Sequence, residues 1–421
     1  MPEIRPFRAL RFDPEVVGDV GLVVAPPYDV ISPEQRTALI ARSRRNVVRI
    51  DLPASEVTDT DPDERYRQAG RTYTSWRADG TLRKDPRPSL YVYEQTYPVP
   101  GSSVVRVQRG FMGRLRLEPF TPDGGIRPHE RTLSGPKEDR WKLMRATGAN
   151  LSPVVGLYAD PSGRASALLA GIVARHPVVD VTDDDRVRQR LWMVPADGPD
   201  AAAVAELVAI VGASHVDIAD GHHRYETALR YRDERRRTAT AETDPAYDFV
   251  LTLLLESTRE QLTVLATHRL VRGLGDAGAD ALLSDAASLF DVERVHDPDA
   301  LAAAFSPAAL APGGEGRFGL WTLRGGAVLR ARREAFAPWL PPGGDALRRL
   351  DVTLAGVALE RLLGLDETAV ARGDRVLYTK SAGEAVARVA DGDVDAALLL
   401  DPTPIAEIAA VAAAGDVMPQ K

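Results

Sequence analysis

The stretch HVDIADGHHRYETALRYRDE, residues 215–234, decides how this chain is read. Val216, Ile218 and Ala219 form an apolar run suited to a strand, Asp220-Gly221 suits a turn, and Tyr225, Ala228 and Leu229 recur at helical spacing. Two of the chain's seven histidines, His222 and His223, therefore stand where a strand hands over to a helix. At a helix amino terminus the backbone N–H groups and the positive end of the helix dipole favour an anion. Gly221, His222, His223 and Arg224 are accordingly candidate phosphate-binding residues, with Asp220 beside them. Adjacent helical residues do not face each other, so the two histidines serve different tasks. The plain alternative is that one histidine caps the helix, the other is at the surface, and Asp220 is an ordinary turn former.

Working outward, IRPHERTLSGPKEDR, residues 126–140, sets His129 and Glu130 after a proline that holds the chain extended. Glu130 is a candidate general base, His129 a partner or ligand, and Lys137 one of only five lysines. The competing reading is a solvated polar loop. APPYDVIS, residues 25–32, stiffens an approach to Tyr28 and Asp29 with two prolines; these two residues are candidate ligand contacts or a plain turn before the next helix. GLGDAG, residues 273–278, has the glycine spacing of a dinucleotide site, but no convincing Rossmann unit surrounds it, so a flexible connector is the better reading. No phosphate loop of the Gly-Lys-Ser/Thr kind occurs. The histidine pairs lack the i, i+4 spacing of a zincin, which favours magnesium on Asp220 or Glu130 over a dedicated zinc site.

Composition narrows the function classes. The 421 residues carry 53 basic and 60 acidic side chains, a formal charge of −7, which argues against a nucleic-acid-coating protein. Without cysteine there is no disulfide, thiolate nucleophile or cysteine-ligated metal. The amino terminus has charges and prolines where a signal peptide needs an apolar core, and no run approaches a membrane span; a soluble cytoplasmic protein is expected.

The length exceeds a single core. We expect an α+β region over residues 1–120, a phosphate- or nucleotide-binding core over 121–270, a helix and β-hairpin region over 271–345, and a small α/β unit over 346–421. In the first of these, GLVVAPPYDVIS and NVVRIDLP read as strand-like, and Ser32, Pro33 and Gln35 predict a capped helix start. Later, FGLWTLRGGAVLRARR predicts a hairpin turning at Gly325-Gly326, and AFAPWLPPGGDA is the best linker candidate.

Several ordered motifs carry a resemblance along nearly the whole chain: PPYDVIS, PHERT with PKEDR, DIADGHHRYETAL, THRLV, LDVT, and LLLDPT with AGDVMPQK. The sequence resembles the bacterial family called domain of unknown function 1015, which would be expected to continue past Lys421 with a short polar and aromatic tail. The Asp-Gly-His-His-Arg run is more distantly similar to the phosphate motif of the ParB and sulfiredoxin superfamily, especially its free-serine kinases. That resemblance implies an α+β fold with a ParB/sulfiredoxin-like core, large insertions, and flanking amino-terminal α+β and carboxy-terminal α/β lobes. It also implies a nucleotide-dependent phosphotransferase acting on a small hydroxylated metabolite such as L-serine. Glu130, Asp220 and His223 would be catalytic, Gly221 to Arg224 would hold nucleotide phosphates, and Tyr28, Asp29, His129 and Lys137 would contact substrate. ATP or ADP, with CTP as an alternative, and magnesium on Asp220 would be the cofactors; no membrane or nucleic-acid partner is expected. Sulfiredoxin activity itself is excluded by the missing cysteine. A nucleotide-binding regulator and a metal-dependent hydrolase are the alternatives.

Overall fold

The structure is a computed structural model that describes residues 1–55, 61–99, 104–121, 124–130, 134–238, 243–257, 262–306, 316–371 and 373–419. The end of the PHERT motif, Arg131 and Thr132, and the terminal Gln420 and Lys421 lie outside the described residues. The fold is mixed α+β, and the chain divides into two compact units. The first holds residues 1–97, 107–128 and 132–261; the second holds 98–106, 129–131 and 262–421.

In chain order the strands of the first unit are β1 (Ile4–Arg5), β2 (Leu10–Phe12), β3 (Leu82–Lys84), β4 (Ser89–Pro98), β5 (Val105–Arg116) and β6 (Ile126–Arg127). They continue with β7 (Val154–Tyr158), β8 (Val179–Thr182), β9 (Arg188–Pro195), β10 (Val216–Asp220) and β11 (Phe249–Glu256). Nine of them make one mixed sheet in the order β6-β10-β7-β11-β5-β4-β9-β8, with β1 joined to β5, while β2 and β3 pair separately. β10 runs parallel to β6 and antiparallel to β7, and its register slips between Ile218 and Asp220. Such bulges re-aim the end of a strand, here the end that carries Asp220. Val216 and Ile218 are fully buried in a core shared with Leu207 and Val211 of the helix Ala201–Gly212 and with Tyr225 and Ala228 of the helix His222–Thr238. Burying each such side chain contributes roughly 1.5–3 kcal/mol, which holds the strand-to-helix junction in place.

The capped helix predicted from Ser32 is present as Pro33–Arg42: Gln35 N donates to Ser32 Oγ at 3.2 Å and Ser32 N to Gln35 Oε1 at 2.9 Å. The two strand-like runs near it are not strands. GLVVAPPYDVIS contains two short 3₁₀ turns, and NVVRIDLP contains the short helix Val48–Asp51. The buried Asn46 accounts for this, because its amide donates to the Leu22 and Val24 carbonyls while its carbonyl oxygen accepts from Val48 N at 3.0 Å. One side chain satisfies the backbone of both segments in place of a sheet ladder.

The second unit has strands β12 (His268–Val271), β13 (Phe290–Val295), β14 (Arg317–Thr322), β15 (Gly325–Ala331), β16 (Val376–Thr379) and β17 (Ala396–Leu400), in the sheet order β13-β15-β14-β17-β12-β16. The AFAPWLPPGGDA stretch, expected as a linker, lies inside this unit, and β16 and β17 join the same sheet as the strands before it. Phe336 inside that stretch, with Leu329 before it and Leu354 after it, shares one core with β14 and β17, so no boundary forms there. The hairpin is present but turns at Leu323-Arg324, since Thr322 pairs with Gly325. Gly326 serves packing instead: a Cβ there would lie 2.4 Å from Trp321.

Candidate functional site

β10 passes into the helix His222–Thr238 through Gly221 alone, at φ +90°, a left-handed value that favours glycine. The first intrahelical bond runs from Tyr225 N to Gly221 O at 2.9 Å, so the opening turn presents the backbone N–H groups of His222, His223 and Arg224 along the axis. His222 is buried, His223 half-buried, and the Asp220 side chain exposed. Tyr225 anchors the helix from beneath: its hydroxyl donates to Glu118 O at 2.8 Å and accepts from Glu118 N at 3.0 Å, and its ring stacks on Phe120 at 5.0 Å.

Arg224 turns back towards the strand. Its guanidinium folds back over Gly221, pairs with the Asp220 carboxylate one turn earlier, and donates to the Pro153 carbonyl. A Cβ on Gly221 would lie 3.0 Å from Arg224 Cζ, so the glycine permits both the turn and this return.

A second arginine of the first unit, Arg140, gathers further segments. The Arg140 guanidinium sits 3.9 Å from the centroid of the Tyr28 ring, donates to the Asp51 carbonyl at 2.7 Å and contacts Asp51 Oδ1 at 3.4 Å. It also donates twice to Asp139 Oδ2, at 2.8 and 2.6 Å, while Ser152 Oγ donates to Asp51 Oδ2 at 2.8 Å. Burial pushes the Asp51 carboxyl up, against the charge of Arg140, the Ser152 hydrogen bond and the charge of Arg224. Burial likewise raises the Tyr28 phenol, opposed by Arg140 and Arg224. Burial also works to raise the Asp139 carboxyl, but Arg140 and the Tyr66 hydroxyl outweigh it and hold it below the usual carboxylate range. The charge of Arg224 thus reaches both Tyr28 and Asp51, and Asp29 bears on the same pair.

Tyr28 and Asp51 thus lie within reach of the Arg224 charge, with Asp29 next to Tyr28 in the chain. Lys137 lies on the neighbouring helix Ser134–Thr147, where its ammonium pairs with Glu226 at 2.8 Å. Arg230 lies over the Trp141 ring at 3.6 Å and donates to Glu138 at 2.6 Å, which fixes the two helices side by side. His129 and Glu130 belong to the second unit: their side chains approach to 3.7 Å, and the His129 carbonyl accepts from Met418 N at 2.7 Å. Among the described residues no group of three or more His, Asp and Glu side chains is gathered to hold a metal. Gly273 and Gly275 follow β12, which is antiparallel to both its neighbours, so GLGDAG is no part of a Rossmann unit.

Sequence reasoning missed Asp51, Arg140 and Ser152. Arg140 stood in the PKEDR motif, yet its burial, and that of Asp51, arises only when distant segments meet.

Residues 4–353 match the family model described as protein of unknown function, DUF1015. The chain belongs to the DUF1015 family. No curated protein matches it. Among solved structures this DUF1015 chain is similar to a free serine kinase in complex with AMP, with 14% identity and a TM-score of 0.35 over 70% of this chain and 80% of that one. It is also similar to a conserved hypothetical protein from Pyrococcus furiosus (14% identity, TM-score 0.33, 70% of this chain and 84% of that one). A third is SbnI with a carboxy-terminal truncation from Staphylococcus aureus (10% identity, TM-score 0.34, 73% of this chain and 79% of that one). No helix among the described residues is long and apolar enough to cross a membrane.

Proposed function

We propose that this DUF1015 protein is a nucleotide-dependent phosphotransferase acting on a small hydroxylated metabolite, with free L-serine the first acceptor to test. The observation that carries the reading is the junction itself: a strand ending in an exposed Asp220, one left-handed glycine, and the opening turn of a long helix presenting His222 and His223. Backbone N–H groups of such a turn, the helix dipole and imidazole donors together suit nucleotide phosphates. The arrangement around β10 and its helix is read as ParB/sulfiredoxin-like, which the Asp-Gly-His-His-Arg motif supports.

In this reading Gly221 to Arg224 hold ATP or ADP, or CTP as the alternative, and His223 stabilises charge on the transferred phosphoryl group. Magnesium takes one or two carboxylates together with substrate phosphates and water, and the exposed Asp220 offers one such carboxylate. Tyr28 and Asp29 are the proposed acceptor contacts. Glu130 is the proposed general base, on the strength of its Pro-His-Glu run and the resemblance to the free-serine kinases.

A second reading, a nucleotide-binding regulator, is favoured by one observation. Arg224 is already engaged by Asp220 and the Pro153 carbonyl, so a phosphate that drew it away would release Asp220 and shift the junction between two states. Incubation with magnesium, ATP, ADP or CTP and a panel of hydroxy amino acids and sugars, followed by phosphorus NMR, separates the two. A new phosphoester resonance supports the phosphotransferase; nucleotide binding with every acceptor left unchanged favours the regulator.

A further inference from the structure

Arg269, in the second unit, has no part in the proposed function. It lies on β12, between β16 and β17, directly opposite Tyr378 on one side and Leu398 on the other. Cross-strand partners share a face, so the guanidinium stands among these two side chains. It is only 5% exposed. A buried guanidinium is normally met by a carboxylate, because desolvating an unpaired charge is costly. Here its contacts are one donation to the Thr267 carbonyl and the Tyr378 ring, whose centroid is 5.9 Å away. Among the described residues no carboxylate pairs with it. Burial draws the guanidinium down to about 10, the direction expected for a cation without a counter-ion. Burial raises the Tyr378 phenol, so its hydroxyl keeps the proton it would donate.

We propose that Arg269 and Tyr378 form a receptor for the carboxylate of a small-molecule ligand. The planar fork of a guanidinium matches a carboxylate in bidentate geometry. One buried positive charge balances one negative charge, which selects a monocarboxylate over a phosphate dianion. His268, the adjacent titratable group, faces the other way: its Nδ1 accepts from Leu400 N at 3.2 Å. The receptor does not depend on phosphotransfer.

Calorimetric titration and thermal unfolding of the full chain test it, with L-serine, L-lactate, acetate, inorganic phosphate and chloride as probes. We expect at least one carboxylate to bind and raise the unfolding temperature, with phosphate and chloride inert. Arg269→Met should bind that carboxylate about tenfold more weakly or worse, and Tyr378→Phe a few-fold more weakly. Unliganded Arg269→Met should unfold at no lower temperature than the parent, since it removes an unpaired buried charge. Absence of carboxylate binding, phosphate binding that Arg269→Met abolishes, equal carboxylate binding by Arg269→Met, or a lowered unfolding temperature in that unliganded variant would each overturn the proposal.

Discussion

The Arg140 guanidinium lies 3.9 Å from the Tyr28 ring centroid while donating to the carbonyl of Asp51, so one buried cation holds an aromatic ring and a largely buried acid from two distant segments. Removing it leaves the Asp51 carboxyl buried without its main counter-charge.

Arg140→Gln should therefore destabilise the protein by about 3–5 kcal/mol in urea unfolding, the scale for breaking a buried pair. Burial already sets the Asp51 carboxyl above its unfolded value. Such a group lowers stability as pH rises through its folded pKa, so the loss should be smaller in acid than at neutral pH. Asp51→Asn in the Arg140→Gln background should recover part of the stability; a purely additive double variant would show that the two residues do not interact.

Gly221→Ala places a Cβ 3.0 Å from Arg224 Cζ at φ +90°. A stability loss of about 1–3 kcal/mol is expected from the strained backbone. Nucleotide affinity, followed by calorimetry, should fall by more than the unfolded fraction explains, because the opening turn of the helix is displaced.

Asp220→Asn should change stability by less than about 1 kcal/mol, since its carboxylate is exposed and its pair with Arg224 is solvent-screened. In the same variant magnesium-dependent nucleotide binding should weaken. His223→Ala should also weaken nucleotide binding, whereas Glu130→Gln should keep binding and abolish transfer. Full activity in both His223→Ala and Glu130→Gln would remove these residues from the proposed site.

His268 supplies a pH test. Burial, with the neighbouring Arg269, lowers its imidazole to about 4 from an ordinary 6.5. The folded protein thus keeps it neutral while the unfolded chain takes a proton, so stability is complete above pH 6.5 and declines as pH falls from 6.5 towards 4. The loss across that window is on the order of 2–3 kcal/mol. Thermal unfolding of His268→Gln against the parent should show this pH slope removed; an unchanged slope assigns it to other groups.

Local patterning was legible wherever neighbours in sequence settle the conformation. The Ser32 to Gln35 cap and the Asp220-Gly221 turn between strand and helix both rest on contacts within a few residues. Family membership was legible for the same reason, as ordered motifs along one chain. The runs at residues 21–32 and 46–53 read differently because the buried Asn46 amide, a side chain from one run reaching the backbone of the other, outweighed a short apolar pattern. Likewise the return of Arg224 to Asp220, the placing of Asp51 against Arg140, and the burial of the Arg269 guanidinium required the tertiary structure. Desolvation and pairing of charge are set by what surrounds a side chain in space, and a sequence read without its fold holds only the residues that can pair.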